Sequence, residues 1–212
     1  MEQQAQQALE QEIRHLCGLG HMEAAATGAL RGYGPQIFGL LVALHRDEEE
    51  AADVFSAFSE DLWRGLARFE WSCSFRTWAY TLARNASSRH KKHANRRARR
   101  DMPLSGHPAL SAVEQQVRTE TLPFLRTDAK RKMAALRQAL SDEDQLLLIL
   151  RVDKQLSWED LARVMLGSSE PQAADALKKE AARLRKRFQL VKERLIDRSR
   201  REGLLERPGS QR

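Results

Sequence analysis

Cysteine is nearly missing: Cys17 and Cys73 are the two in 212 residues. So sparse a pair builds no disulfide framework, and a reducing compartment fits. Long apolar runs are missing as well. The longest, LLVAL and LLLIL, fall far short of the roughly 18 residues a membrane span needs, so no span is expected. The opening MEQQAQQALEQEI lacks the basic n-region and apolar h-region of a secretory signal, which points to the cytoplasm. Strict apolar and polar alternation is absent and no internal repeat is found, which removes sheet and solenoid classes. There is no GxxxxGK[ST] loop, no GxGxxG after a strand, no GxSxG elbow and no HExxH. No enzyme and no cofactor are expected. His15, Cys17 and His21 lie close in sequence, but Gly18 and Gly20 interrupt any helix that would converge them, so they read as surface or packing residues and no metal site is expected.

What the chain does have is charge: 36 Lys plus Arg against 29 Asp plus Glu, formally +7, with a pI near 9.8. The net figure alone separates few possibilities, because nucleic-acid binders and anionic-membrane binders share it. Its distribution is more informative. Residues 47 to 61 carry seven acids and no Lys or Arg, residues 89 to 100 carry seven Lys or Arg and no acid, and residues 178 to 201 carry eleven positive and three negative side chains. One such run is commonly a solvated helix face. Two basic runs, each following an apolar helical segment, are two footprints for one polyanion.

Periodicity supplies the scaffold. Residues 3–16 permit a helix, and Gly18, Gly20, Gly28, Gly32 and Gly34 then punctuate the chain before Pro35. Ile37, Phe38, Leu40, Leu41 and Leu44 share helical spacing, with Pro35 near the first helical position. Val54, Phe55, Phe58, Leu62, Trp63 and Leu66 do the same over 48–67, with the acids at the N-terminal end that the helix dipole favours. Phe75, Trp78, Ala79, Leu82 and Ala86 form a third stripe that runs into the first basic cluster. Residues 102–127 hold Pro103, Pro108, Pro123 and Gly106 without sustained periodicity and read as a flexible linker. Beyond it, helices are expected over 129–140 and 142–151, the second opened by Ser141 with Asp144 three residues on. Another is capped by Ser157 with Asp160 following, and a last one spans about 172–201. The fold class is therefore all-α: two small helical domains joined by a flexible linker, the C-terminal one a helix-turn-helix. The expected divisions are an N-terminal extension 1–25, a first domain 26–101, a linker 102–127, a second domain 128–202 and a tail 203–212.

Two local features go beyond scaffold. Phe69, Trp71, Phe75, Trp78 and Tyr80 crowd ahead of the basic run although aromatics are only 6% of the chain. Some belong to a core, Phe75 and Trp78 first. Rings beside cations also suit single-stranded nucleic acid, whose bases stack while Lys and Arg hold phosphates. In the last helix, Arg183, Arg185, Lys186, Arg187 and Gln189 fall within two turns, a composition suited to phosphates and guanine edges in a major groove.

The stretch SFRTWAYTLARN, residues 74–85, with its basic tail resembles the most characteristic segment of bacterial RNA polymerase sigma factors of the sigma-70 family. The similarity is greatest to the extracytoplasmic-function class (group IV), which has only the second and fourth sigma domains. It covers about residues 20–100 and 128–200, the latter through LSDEDQLLLILRVDKQLSWEDLARVML. The resemblance implies that Asp53, Ser56, Glu60 and Trp63 dock on the largest subunits of core polymerase. It implies that Ser74, Phe75, Arg76, Trp78, Tyr80, Arg84, Asn85, Arg89 and Lys92 meet the minus-ten element, double- and single-stranded, and that Arg183, Arg185, Lys186, Arg187 and Gln189 read the minus-thirty-five element. It implies a monomer when free, and the exposed acidic and basic surfaces would permit an anti-sigma partner. The chain departs from the pattern at Ser56 and Ala57, where Gln and Glu are usual, and carries about eleven extra residues between Leu166 and Arg183. A stand-alone helix-turn-helix regulator would leave the 69–100 block unexplained, and a nonspecific RNA-binding protein would leave the acidic helix unexplained.

Overall fold

The structure is a computed structural model that describes residues 2–94, 107–125, 140–168 and 172–201. Every regular element among them is helical, and no described helix is long and apolar enough to cross a membrane. Two compact units emerge, Met1–Leu125 with Arg163–Pro171, and Arg126–Ala162 with Gln172–Arg212.

The first unit packs α1 (Glu2–Gly18), α2 (Met22–His45), α3 (Glu48–Leu66), α4 (Phe75–Ala94) and α5 (Pro108–Leu125). Helix α2 is the hub: α1, α3, α4 and α5 all pack on it. It runs unbroken through Gly28, Gly32, Gly34 and Pro35, so three of the five glycines expected to punctuate the chain lie inside a helix, whereas Gly18 and Gly20 do mark the break between α1 and α2. Tertiary packing explains two of them. A Cβ on Gly32 would stand 2.1 Å from Leu9 Cδ2, and one on Gly34 would stand 3.0 Å from Val117 Cγ1. The missing side chains let α1 and α5 approach the α2 backbone, which offsets the roughly 1 kcal/mol a helical glycine costs.

Helix α3 starts where the sequence predicts, because the Asp47 carboxylate accepts from Glu50 N at 2.8 Å and caps the first turn. Its inner face buries Val54, Phe55, Phe58 and Leu62 almost completely, each such side chain stabilising by roughly 1.5–3 kcal/mol. Ser74 caps α4 by accepting from Thr77 N at 3.1 Å.

The expected flexible linker 102–127 is corrected over most of its length. Residues Pro108–Leu125 form α5, and Leu110, Val113, Val117 and Thr121 are buried against the rest of the unit. The spacing is helical, but the stripe is narrow and includes a glutamate, Glu114, and a threonine. The prolines and serines around it obscured the period. Residues 102–106 and 126–127 lie outside the described residues, as does nearly all of the helix expected over 129–140.

In the second unit, α6 (Asp142–Leu148) is capped by Ser141, which accepts from Asp144 N at 3.2 Å. The helix expected to continue to Arg151 widens instead into a π turn over Ile149–Asp153, with Lys154 N bonded to Ile149 O at 3.0 Å. Helix α7 (Trp158–Leu166), divided at Ala162 between the two units, is capped by Ser157 through Asp160 N at 3.1 Å. Helix α8 (Ala174–Arg201) follows, its buried residues Leu177, Ala181, Leu184 and Val191 falling three, four and seven apart. Residues 169–171, between α7 and α8 in sequence, lie outside the described residues.

Candidate nucleic-acid interface

Helix α4 and the loop ahead of it hold the aromatic cluster. Phe75 is buried against Tyr33, Phe69 and Trp78, with centroids 5.6, 5.9 and 5.3 Å away. Trp78 is stacked on Phe69 at 4.6 Å, and its Cζ2 would lie 2.9 Å from a Cβ on Gly65, so α3 closes tightly over it. Tyr80 is 1% exposed. Its hydroxyl donates to Gln36 Oε1 at 3.1 Å, and burial pushes its pKa up to about 12. These three rings are core. Their faces are covered by other rings and helices, and a base would stack on them only by displacing that packing.

The half-exposed rings are Phe69 and Trp71, in the loop between α3 and α4. Trp71 has φ 56°, a left-handed backbone that a bulky residue adopts only where its surroundings hold it there. The surroundings are Phe69 at 4.8 Å and the Arg14 guanidinium 5.3 Å over the indole. The sequence flagged Trp71 by composition, but nothing local distinguished it from Trp78.

The polar residues expected to meet DNA are less buried. Ser74, Arg76, Arg84 and Asn85 are half-buried, and Arg89 and Lys92 are exposed. The Arg76 guanidinium lies 5.8 Å over the Tyr80 ring. Arg89 is held by the Asp61 carboxylate of α3, an ion pair that nucleic-acid phosphate would have to displace. The remainder of the basic run, residues 95–100, lies outside the described residues.

Asp53, Ser56, Glu60 and Trp63 recur at intervals of three and four and share one stripe of α3. Asp53 is exposed. Ser56 donates to Glu114 Oε1 of α5 at 2.5 Å, Glu60 pairs with Arg64 at 2.5 Å, and the Trp63 ring packs 4.3 Å from that of His107. Helix α5 therefore borders this stripe, a neighbour the sequence reading did not supply. Glu114 is 7% exposed. Burial pushes its carboxyl up, against the Ser56 hydrogen bond and Arg118, which both pull it down.

On α8 the five expected residues divide by partner. Arg187 donates from Nε to Asp144 Oδ1 at 2.5 Å and from Nη1 to Glu143 Oε2 at 2.6 Å, which ties α8 to α6. Arg183 makes a two-point contact with Glu180 of its own helix, at 2.9 and 2.8 Å. Arg185 lies 5.6 Å over the Trp158 ring, itself edge-on to Phe188. Lys186 and Gln189 are exposed opposite the buried stripe, and by helical period Lys178, Lys179 and the small Ala182 share that outer face, all exposed. Those lysines were legible as charge but not singled out. The face they complete appears only when the buried stripe is known.

Sigma-70 region 2 matches residues 29–97, which span most of α2 and all of α3 and α4. The RNA polymerase sigma-H factor of Pseudomonas aeruginosa is 30% identical over 140 residues, covering 63% of this chain and 70% of that protein. No solved structure matches. The chain belongs to the sigma-70 family of RNA polymerase sigma factors.

In this sigma factor the matched region takes in the acidic stripe of α3, the aromatic cluster and the start of the first basic run on α4. The all-α architecture and a role in transcription initiation follow from that membership. The α8 cations lie outside the matched segment.

Proposed function

We propose that this sigma factor is of the extracytoplasmic-function type, binds core RNA polymerase through the α3 stripe, and directs it to promoters recognised at two elements. The observation that carries the reading is that one packed unit bears both the Asp53, Ser56, Glu60 and Trp63 stripe and the α4 cations. An acidic helix suits a basic partner surface, because complementary charge steers encounter and fixes register. The α4 residues Ser74, Arg76, Arg84, Asn85, Arg89 and Lys92 hold the minus-ten element. Phe75, Trp78 and Tyr80 act from beneath by fixing the helix that presents them. Trp71 and Phe69 are the rings within reach of an extruded base. Binding the exposed strand better than the duplex shifts the opening equilibrium, with no nucleotide hydrolysis. On α8, Arg185, Lys186 and Gln189, joined by Lys178 and Lys179, contact the minus-thirty-five duplex. Arg187 positions α8 on α6, and Arg183 acts through its exposed edge.

The test is reconstitution with bacterial core polymerase on genomic promoter DNA. A stable complex and a transcript with a defined start are expected. Failure of both would overturn the reading, and dimeric duplex binding without polymerase would support a stand-alone regulator instead.

A further inference from the structure

The C-terminal end of α2, the first turn of α3 and the last turns of α4 meet around three side chains with no part in the promoter reading. His45, Glu50 and His90 each offer a ligand atom, and these atoms all lie within 4.8 Å of one another. The His45 side chain is fully buried. Its Nδ1 is 3.4 Å from Glu50 Oε2 and its Nε2 is 2.8 Å from Ser87 Oγ. The His90 ring stands edge-on to it, with centroids 5.4 Å apart and planes at 86°. We propose that His45, Glu50 and His90 form a binding site for a divalent transition cation of the zinc type, with water in the fourth position.

The donor set is right for such an ion, since two imidazoles and a carboxylate with one open place are common zinc ligation. The spacing is near what is needed. Ligand atoms 2.0–2.1 Å from a tetrahedral centre are about 3.3 Å from each other, and the His45 to Glu50 separation already has that value. His90 is half-buried, close to the α4 end at Ala94, so closing on the ion takes rotation of one partly exposed ring.

The proton count balances without an outside acid or base. In this structure neutral His45 satisfies both neighbours if Nδ1–H donates to Glu50 and Ser87 Oγ–H donates to Nε2. With the ion bound, the ring carries its proton on Nε2, donates it to Ser87 Oγ, and presents the Nδ1 lone pair to the metal. Ser87 exchanges a donor role for an acceptor role and fixes the tautomer, as the outer partner of a metal-bound histidine does. Lys91, whose Nζ donates to Leu44 O at 3.3 Å, stands beside the site and opposes a dication. The acidic first turn of α3, Glu48 and Glu49 after the Asp47 cap, favours one. An occupied site would staple α2 and α3 to α4 at His90, one residue from Arg89 and two from Lys92.

The full-length chain, with any affinity tag removed, should be titrated with zinc chloride at pH 7.5 by calorimetry, and with cobalt(II) chloride by absorption spectroscopy. One zinc per chain at micromolar dissociation constant is expected, with a rise in melting temperature. Ser87→Ala should weaken binding by about tenfold, and Glu50→Gln and His90→Ala by more than that, with helical content unchanged by circular dichroism. His90→Cys should retain binding and add a thiolate-to-cobalt charge-transfer band, a signature that a purely structural His90 would not give. Cys17→Ser should leave the affinity as it was. No saturable binding up to millimolar zinc, wild-type affinity in both Glu50→Gln and His90→Ala, or loss in Cys17→Ser instead would each overturn the proposal. Neither polymerase nor DNA enters this experiment, so its outcome is independent of the promoter reading.

Discussion

Helices α4 and α8 are both basic, both about as long as a DNA groove contact requires, and held in place by different means. Helix α4 is fixed by aromatic packing: Phe75, Trp78 and Tyr80 face inward against Tyr33, Phe69 and the α3 backbone at Gly65. Helix α8 buries a narrow stripe of Leu177, Ala181, Leu184 and Val191 and adds charge, Arg187 gripping Glu143 and Asp144 with Arg194 3.6 Å from Asp144. Position is therefore largely independent of salt in the first helix, whereas in the second it draws on the same kind of interaction that binds DNA. An arginine in a basic run can thus be anchor or reader, and only its partner distinguishes the two.

The largest effect expected from breaking this contrast is Trp78→Ala, which should destabilise the first unit by about 3–5 kcal/mol through the cavity it leaves. Urea denaturation monitored by circular dichroism measures it. A variant as stable as the parent would mean that the ring is not a core anchor and is available to bases after all.

Arg187→Ala should cost about 2 kcal/mol in the second unit, less than a fully buried pair would lose because the guanidinium is partly solvated. Asp144→Asn should cost a similar amount, and the double variant less than the sum in a double-mutant cycle. If Arg187→Ala left stability intact and only weakened promoter binding, Arg187 would be a reader and the division of α8 would fail.

Lys186→Ala should behave in the opposite way. Its melting temperature should stay within error, while promoter affinity of the polymerase complex falls several-fold and the slope of log K against log salt drops by about 1. An unchanged salt slope would remove Lys186 from the interface.

The smallest effect concerns the α3 to α5 contact. Burial raises the Glu114 carboxyl above its ordinary value of 4.5, so between that value and the raised one the folded state holds a proton that the unfolded chain has released. Stability from this group is present at low pH and falls as pH rises through that window. Glu114→Gln should flatten this dependence and slightly raise stability at neutral pH, which thermal melts across pH 4 to 8 would resolve against the parent. A parent curve with no fall in that window would remove the claim.

Much of this was readable before any coordinates. The cap residues Asp47, Ser74, Ser141 and Ser157 act within three residues of themselves, so the starts of α3, α4, α6 and α7 were legible from local chemistry. The apolar stripe of α3 was legible because it is wide enough to show a period. Helix α5 was not, since its buried stripe is narrow and includes the polar Glu114 and Thr121, and it became recognisable only against α2. The glycines of α2 misled for a related reason. Local propensity reads them as breaks, and only Leu9 and Val117, distant in sequence, explain why Gly32 and Gly34 sit inside a helix.

At the candidate interface the sequence by itself determined charge, helical phase and family, because these depend on residue type and spacing along one segment. Tertiary structure decided which rings are covered, which arginines are already engaged, and that His45, Glu50 and His90 converge. Much of the burial and pairing depends on neighbours brought in from other helices, as Arg89 is to Asp61, 28 positions away, and a window on one helix does not contain them.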